Sequence, residues 1–219
     1  MTSNPHGLRG LIVDYGGVLT NPVQETFGAW AAQDGLEMAE LKVVLGAMLE
    51  EAAEKSPVHG LERGELSVAD FERQLAEALR RPGSPEVVAD GLLRRVFAAM
   101  KPADGMTAVV RRAKDRGIRT GLLSNSWGFD YDRNGWEDLF DAIVISGEVG
   151  LRKPEPEIYR LAAERIGVQP EECVFVDDFA ANVRGATTVG MVGVHHTDLA
   201  TTIVELETLF GLELAEPPT

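Results

Sequence analysis

Leu11-Ile12-Val13 is a short apolar run, partly β-branched, that ends in Asp14 and is followed at once by Gly16-Gly17. A run of this length and composition predicts a buried strand, with Asp14 at its carboxyl end. From about Pro22 to Met100 the pattern is helical instead. Ala29, Trp30, Leu36, Met38, Leu41, Val44, Leu45, Met48 and Leu49 recur at helical spacing, and Ser56-Pro57-Val58-His59-Gly60 breaks the series. Ser67 predicts an N-cap, with Asp70 three residues on and Phe71, Leu75 and Leu79 marking one face. Arg81-Pro82-Gly83 is expected to end that helix. Ser84-Pro85 is expected to start the next, which carries Leu92, Leu93, Val96 and Phe97.

Beyond Lys101-Pro102 helices and strands alternate. Met106, Val109, Val110 and Ala113 predict a helix closed by Gly117, and Ile118 to Leu123 a strand ending in Ser124-Asn125-Ser126. A loop with Trp127, Phe129, Tyr131 and Trp136 follows, and then a strand over Ala142 to Ile145. Lys153-Pro154-Glu155-Pro156 leads into a helix closed by Gly167. Cys173 to Val176 reads as a strand ending in Asp177-Asp178, Ala181 to Val189 as a helix, and Met191 to Val194 as a fifth strand. Asp198 caps a last helix over Leu199 to Phe210. Such alternation predicts an α/β fold: a doubly wound parallel sheet with a helical block inserted after the first strand. The expected division is an α/β core, residues 1–20 and 101–219, and a helical unit, residues 21–100.

Composition narrows the function classes. The 219 residues carry a formal net charge of −14, which argues against a nucleic-acid partner. An anionic substrate would need positive charge built locally. No apolar run approaches a membrane span, the first residues lack a signal-peptide core, and Cys173 is the single cysteine. Together these predict a cytoplasmic protein with no membrane partner. Cys173 reads as buried packing and His195-His196 as a strand-end pair. His59 is either a loop residue or a contribution of the helical block to a site, and the aromatic loop either packs itself down or lines a pocket.

The polar clusters all follow strands: Asp14 the first, Ser124-Asn125 the second, Asp177-Asp178 the fourth, with Lys153 at the mouth of a helix after the third. In a parallel sheet these ends share one edge and can converge. Three carboxylates in one pocket repel and raise one another's pKa unless a cation sits among them, and all-oxygen donors suit Mg²⁺. Lys153, held extended by the proline after it, supplies a point charge. Ser124 and nearby amides suit a tetrahedral oxyanion. An aspartate nucleophile, a cation, a lysine and a serine cradle describe phosphoryl transfer through an aspartyl-phosphate.

Four stretches carry a resemblance: Val13-Asp14-Tyr15-Gly16-Gly17-Val18-Leu19, Leu122-Leu123-Ser124-Asn125-Ser126-Trp127, Gly150-Leu151-Arg152-Lys153-Pro154-Glu155-Pro156-Glu157-Ile158-Tyr159 and Val174-Phe175-Val176-Asp177-Asp178-Phe179-Ala180-Ala181-Asn182. In this order the chain resembles the haloacid dehalogenase superfamily, within it the phosphatase-like group of the soluble epoxide hydrolase N-terminal domain. The resemblance implies a Rossmann-like core with a helical cap over it. It implies Asp14 as nucleophile and metal ligand, with the Gly16 carbonyl and Asp178 completing a Mg²⁺ site. Asp177 and Asn182 would support that site. Gly17, Ser124, Asn125 and Lys153 would hold the phosphoryl group of a small-molecule phosphate substrate. One position departs from the pattern: the superfamily's second aspartate, two residues after the nucleophile, is Gly16 here. That aspartate is the general acid-base, whose loss typically costs about 10²–10⁴-fold. The alternatives are a 2-haloacid dehalogenase-type hydrolase, which needs no cation, and a non-catalytic protein that binds phosphate ligands. Oligomeric state is not legible in one chain.

Overall fold

The computed structural model describes residues 7–50, 56–80, 86–128 and 131–216. Five strands, β1 (Gly10–Val13), β2 (Arg119–Ser124), β3 (Ala142–Ile145), β4 (Cys173–Asp177) and β5 (Val192–His195), form one parallel sheet in the order β3-β2-β1-β4-β5. β1 lies at the centre, with Val13 in register with Leu122 on one side and Val176 on the other. A central parallel strand is covered on both faces, which explains why β1 is apolar throughout. Leu11 and Val13 face one layer with Val109 and Phe210, while Ile12 faces the other with Tyr159 and Phe175.

The first layer holds α6 (Asp104–Asp115) and α11 (Leu199–Phe210), and the second holds α9 (Pro156–Ile166) and α10 (Ala180–Thr187). Local signals start and stop these helices. The Asp198 carboxylate accepts the Thr201 amide, Pro156 occupies the first turn of α9, and Gly167 ends it in the left-handed region.

Between β1 and α6 run α1 (Val23–Asp34), α2 (Met38–Glu50), α3 (Pro57–Glu62), α4 (Val68–Ala78) and α5 (Leu92–Phe97). They bury a core of their own around Trp30, Leu41, Phe71, Leu75, Leu92 and Val96. The chain leaves the sheet and returns to it along paired segments. Thr20 bridges Pro102, and the Asn21 and Ala103 amides donate to the carbonyls of Lys101 and Leu19.

Several boundaries differ from expectation. Ser56 to Gly60 is not a break: it opens α3, with Pro57 in the first turn and the Ser56 hydroxyl accepting the His59 amide. Serine followed by proline is a start signal, and a six-residue helix is too short to show a period. The expected cap at Ser84-Pro85 and the stop at Arg81-Pro82-Gly83 lie outside the described residues, as does Phe129. α4 already ends at Ala78, and α5 begins only at Leu92, after Gly91 at φ 65°. Two further short helices, α7 (Trp136–Leu139) and α8 (Ser146–Val149), stand where loop was expected. Lys153 stays outside α9, in a turn in which the Glu155 amide donates to the Arg152 carbonyl. Among the described residues no helix is long and apolar enough to cross a membrane.

Candidate active site

The carboxyl ends of β1, β2 and β4 bring Asp14, Ser124, Asp177 and Asp178 to one edge. Carboxylate oxygens of Asp14, Asp177 and Asp178 lie within 4.8 Å of one another. Lys153 reaches this cluster although α8 separates it from β3. It is almost wholly buried, and its Nζ stands 2.7 Å from Asp14 Oδ1, 2.6 Å from Asp177 Oδ2 and 3.0 Å from the Leu123 carbonyl. All three ammonium protons therefore have partners within the chain.

The two neighbouring aspartates are not equivalent. Both oxygens of Asp177 accept from Asn182 Nδ2 at 3.1 Å, and Oδ1 also accepts the Phe179 amide at 2.7 Å. Asp177 is thus occupied by protein donors, whereas Asp178 stands beside it as an acceptor facing the cavity. Burial pushes the Asp14 carboxyl up to about 7; Lys153 pulls it down, and Asp177 and Asp178 push it further up. Asp178 is pushed up to about 6, by burial first and Asp177 second. Burial alone would lower the Lys153 ammonium, but Asp14 and Asp177 outweigh it and hold the group above its usual value. A buried and a half-buried carboxylate that resist ionisation, with only one lysine between them, fit a divalent cation in the same oxygen-rich space. The residues that would hold it are Asp14, Asp178 and the carbonyl of Gly16, which lines the same cavity.

Other expected site residues fall differently. The Ser124 hydroxyl lies 3.0 Å from the Tyr131 hydroxyl and faces the cavity. The Asn125 side chain grips the backbone of Lys153, accepting its amide at 2.9 Å and donating to its carbonyl at 3.1 Å. Its amide group thus holds the lysine's loop. Gly17 is not among the cavity-lining residues. It sits at φ 75° with its amide on Thr20 Oγ1, and a Cβ there would stand 2.2 Å from Asp178 Oδ2. Its lack of a side chain makes room for that carboxylate.

The cavity has a volume of about 210 Å³. Its far wall was not foreseen: Val23, Gln24 and Phe27 from α1, Leu49 from α2, Glu62 from α3 and Phe97 from α5. Trp127 joins them from the β2 side, its ring edge-on to Phe27, Phe71 and Phe97 at centroid distances of 5.9, 5.7 and 6.3 Å. The aromatic loop therefore both packs and lines. Its other members, Tyr131 and Trp136, cluster with Tyr15. Glu62 pairs with Arg152, the residue before Lys153, at 2.5 Å, and Arg63 pairs with Glu155. His59 is helical and not among the lining residues. His195 Nε2 lies 3.0 Å from the Asp178 carbonyl. Cys173 is buried within β4, and burial pushes its thiol up to about 12, consistent with inert packing.

A sequence model of the haloacid dehalogenase-like hydrolases matches residues 8–190. The chain belongs to this family. Among family members, the sesquiterpene phosphatase astK of Aspergillus oryzae is 31% identical over 93% of this chain and 97% of its own length. The bifunctional epoxide hydrolase 2 of Rattus norvegicus is 27% identical over 75% of this chain, which spans only 32% of that longer protein. A family enzyme of Bacteroides thetaiotaomicron, solved in complex with magnesium and inorganic phosphate, superposes with a TM-score of 0.59 at 21% identity, covering 86% of this chain and 93% of the other. That likeness establishes the haloacid dehalogenase fold. Mg²⁺ is the usual cofactor of the family, and the donors around Asp14 fit it.

Proposed function

We propose that this chain is a Mg²⁺-dependent phosphatase that hydrolyses a small phosphorylated metabolite through an aspartyl-phosphate on Asp14. The observation that carries the reading is the setting of Asp14. It is a buried carboxylate at the floor of a cavity, with one oxygen held by Lys153 and with Asp178 beside it. A haloacid dehalogenase needs no cation, and Asp177 and Asp178 around its nucleophile would be a cost without return. The phosphatase relative astK supports the same choice.

Asp14 attacks phosphorus through its free oxygen, and the bond from phosphorus to the alcohol oxygen breaks. Lys153 favours the ionised form of Asp14 and aims it, because Asn125 and Asp177 fix the lysine at both ends. Ser124 donates to a phosphoryl oxygen, and Tyr131 orients its hydroxyl. Asp177 and Asn182 hold Lys153 and the β4 end that carries Asp178. Asp14, Asp178 and the Gly16 carbonyl would hold Mg²⁺, whose charge would let a dianionic phosphate approach a carboxylate. Water then hydrolyses the aspartyl-phosphate. We assign residues 21–100 as a cap that shields this chemistry from bulk water, since α1, α2, α3 and α5 form the far wall. A cytoplasmic location accords with the single, buried cysteine.

The test is phosphate release from a panel of metabolite phosphates, with Mg²⁺ and then with excess EDTA. Release that needs Mg²⁺ and stops with EDTA is expected. Release indifferent to EDTA would overturn the reading. Tight phosphate binding without release from any ester would instead make the chain a binding protein.

A further inference from the structure

The position two residues after Asp14 is a glycine, so no carboxylic acid stands there to meet the departing oxygen. Beyond the Asp14 cluster, the charged side chains lining the cavity are Glu62 and Arg152. Glu62 is no proton donor: Oε2 accepts Arg152 Nε at 2.5 Å, and Oε1 accepts Trp127 Nε1 at 3.2 Å. Lys153 has no N–H to offer either, since its three contacts within the chain use all of them. Arg152 differs. Its side chain is 12% exposed, and Nη1 and Nη2 make no hydrogen bond to any described residue. Neither nitrogen is among the buried unpartnered atoms, so the outer fork opens on the cavity, where a ligand can meet it.

We infer that Arg152 is a catalytic residue that receives the leaving oxygen of the phosphate ester, and that Glu62 is the positioning residue that aims it. The inference rests on the phosphatase reading. As Asp14 bonds to phosphorus, the electron pair of the breaking P–O bond passes to the alcohol oxygen. Arg152 N–H groups hydrogen-bond that developing alkoxide. Arginine stays protonated, so it stabilises the charge without transferring a proton. The alkoxide takes its proton from water as it leaves. Glu62 belongs to α3 of the helical layer, whereas Arg152 adjoins Lys153. Seating of that layer therefore also sets the guanidinium.

The experiment measures kcat/KM and single-turnover rates with saturating Mg²⁺ for a series from nitrophenyl phosphate to simple alkyl phosphates. Arg152→Gln is expected to lose about 10²–10³-fold on alkyl phosphates, the usual cost of an oxyanion donor, and only severalfold on nitrophenyl phosphate. Arg152→Lys should recover part of the loss. Glu62→Gln should show the same tilt, less steeply. A loss equal for every leaving group, or none, overturns the inference; Arg152→Lys and Glu62→Gln decide it if Arg152→Gln does not fold. A wild-type protein that releases phosphate from no ester overturns the phosphatase reading as well, whereas an Arg152→Gln loss that is the same for every leaving group, in an otherwise active enzyme, overturns Arg152 alone.

Discussion

Asp14 combines two demands that oppose each other, since burial favours its neutral form and nucleophilic attack needs its ionised one. Lys153 at 2.7 Å settles the conflict on the ionised side when a cation shares the site. Asp14→Asn keeps the shape and loses the nucleophile, so it should fold normally and lose at least most phosphate release; near wild-type turnover would exclude the aspartyl-phosphate. Gly16 sets a second expectation. Without an acid there, and with Arg152 making up only part of what a proton donor supplies, the single-turnover rate should fall as leaving-group pKa rises, leaving alkyl phosphates slower than nitrophenyl phosphate by less than the full loss of about 10²–10⁴-fold. Gly16 is not at positive φ, and a Cβ would meet Val23 Cγ2 at 3.4 Å, an ordinary contact. Gly16→Asp should therefore be accommodated and help alkyl phosphates more than nitrophenyl phosphate. Equal rates for both classes in wild-type protein would end this argument. The sequence exposed Asp14 and Asp178 because each follows a strand directly, and Gly16 because it stands two residues beyond Asp14. It hid Glu62 and Arg152, whose meeting spans ninety residues.

α3 is the element that joins the helical layer to the sheet. It is only six residues long, yet its end carries Glu62 and Arg63 to Arg152 and Glu155. The Glu62 carbonyl accepts Ser146 Oγ at 2.5 Å, and that oxygen accepts the Ser126 amide at 2.7 Å. Gly64 makes the close approach possible: at φ 73° a Cβ would stand 2.8 Å from the Gly147 carbonyl. Gly64→Ala is expected to cost about 1–2 kcal/mol from the left-handed backbone alone. That is a fall of roughly 2–8 °C in Tm for a chain of this size. It should also raise KM more than it lowers kcat, because it loosens the far wall and leaves the Asp14 cluster intact. An unchanged KM would show that this seam does not set substrate binding.

The net charge of −14 and the carboxylate pair Asp14 and Asp178 bear on the molecule as a whole. Asp14 and Asp178 have folded pKa values of about 7 and about 6, above the ordinary carboxylate value of about 4. For a raised pKa, the stabilising contribution is full below the unfolded value and is lost as pH rises through the folded one. Cation-free protein should thus lose stability from these two groups between about pH 4 and 7. Mg²⁺ reverses the effect by pairing with the ionised form. The rise in Tm on adding Mg²⁺ should then be larger at pH 8 than at pH 5, by differential scanning calorimetry with and without EDTA. A rise that is the same at both would place the cation away from these carboxylates.

By itself the sequence determined the alternation of strands and helices, the helical insertion, the family and the cluster at the strand ends. Those follow from local rules: apolar period, caps such as Ser67 and Asp198, and the shared edge of parallel strands. Only the tertiary structure decided which carboxylate is occupied by protein donors, that Asn125 holds a backbone, that Gly17 makes room for Asp178, and that Trp127 and Glu62 complete the cavity. Each depends on residues far apart in the chain meeting at hydrogen-bond or van der Waals distance. Periodicity records which face of an element is buried, but not what it is buried against.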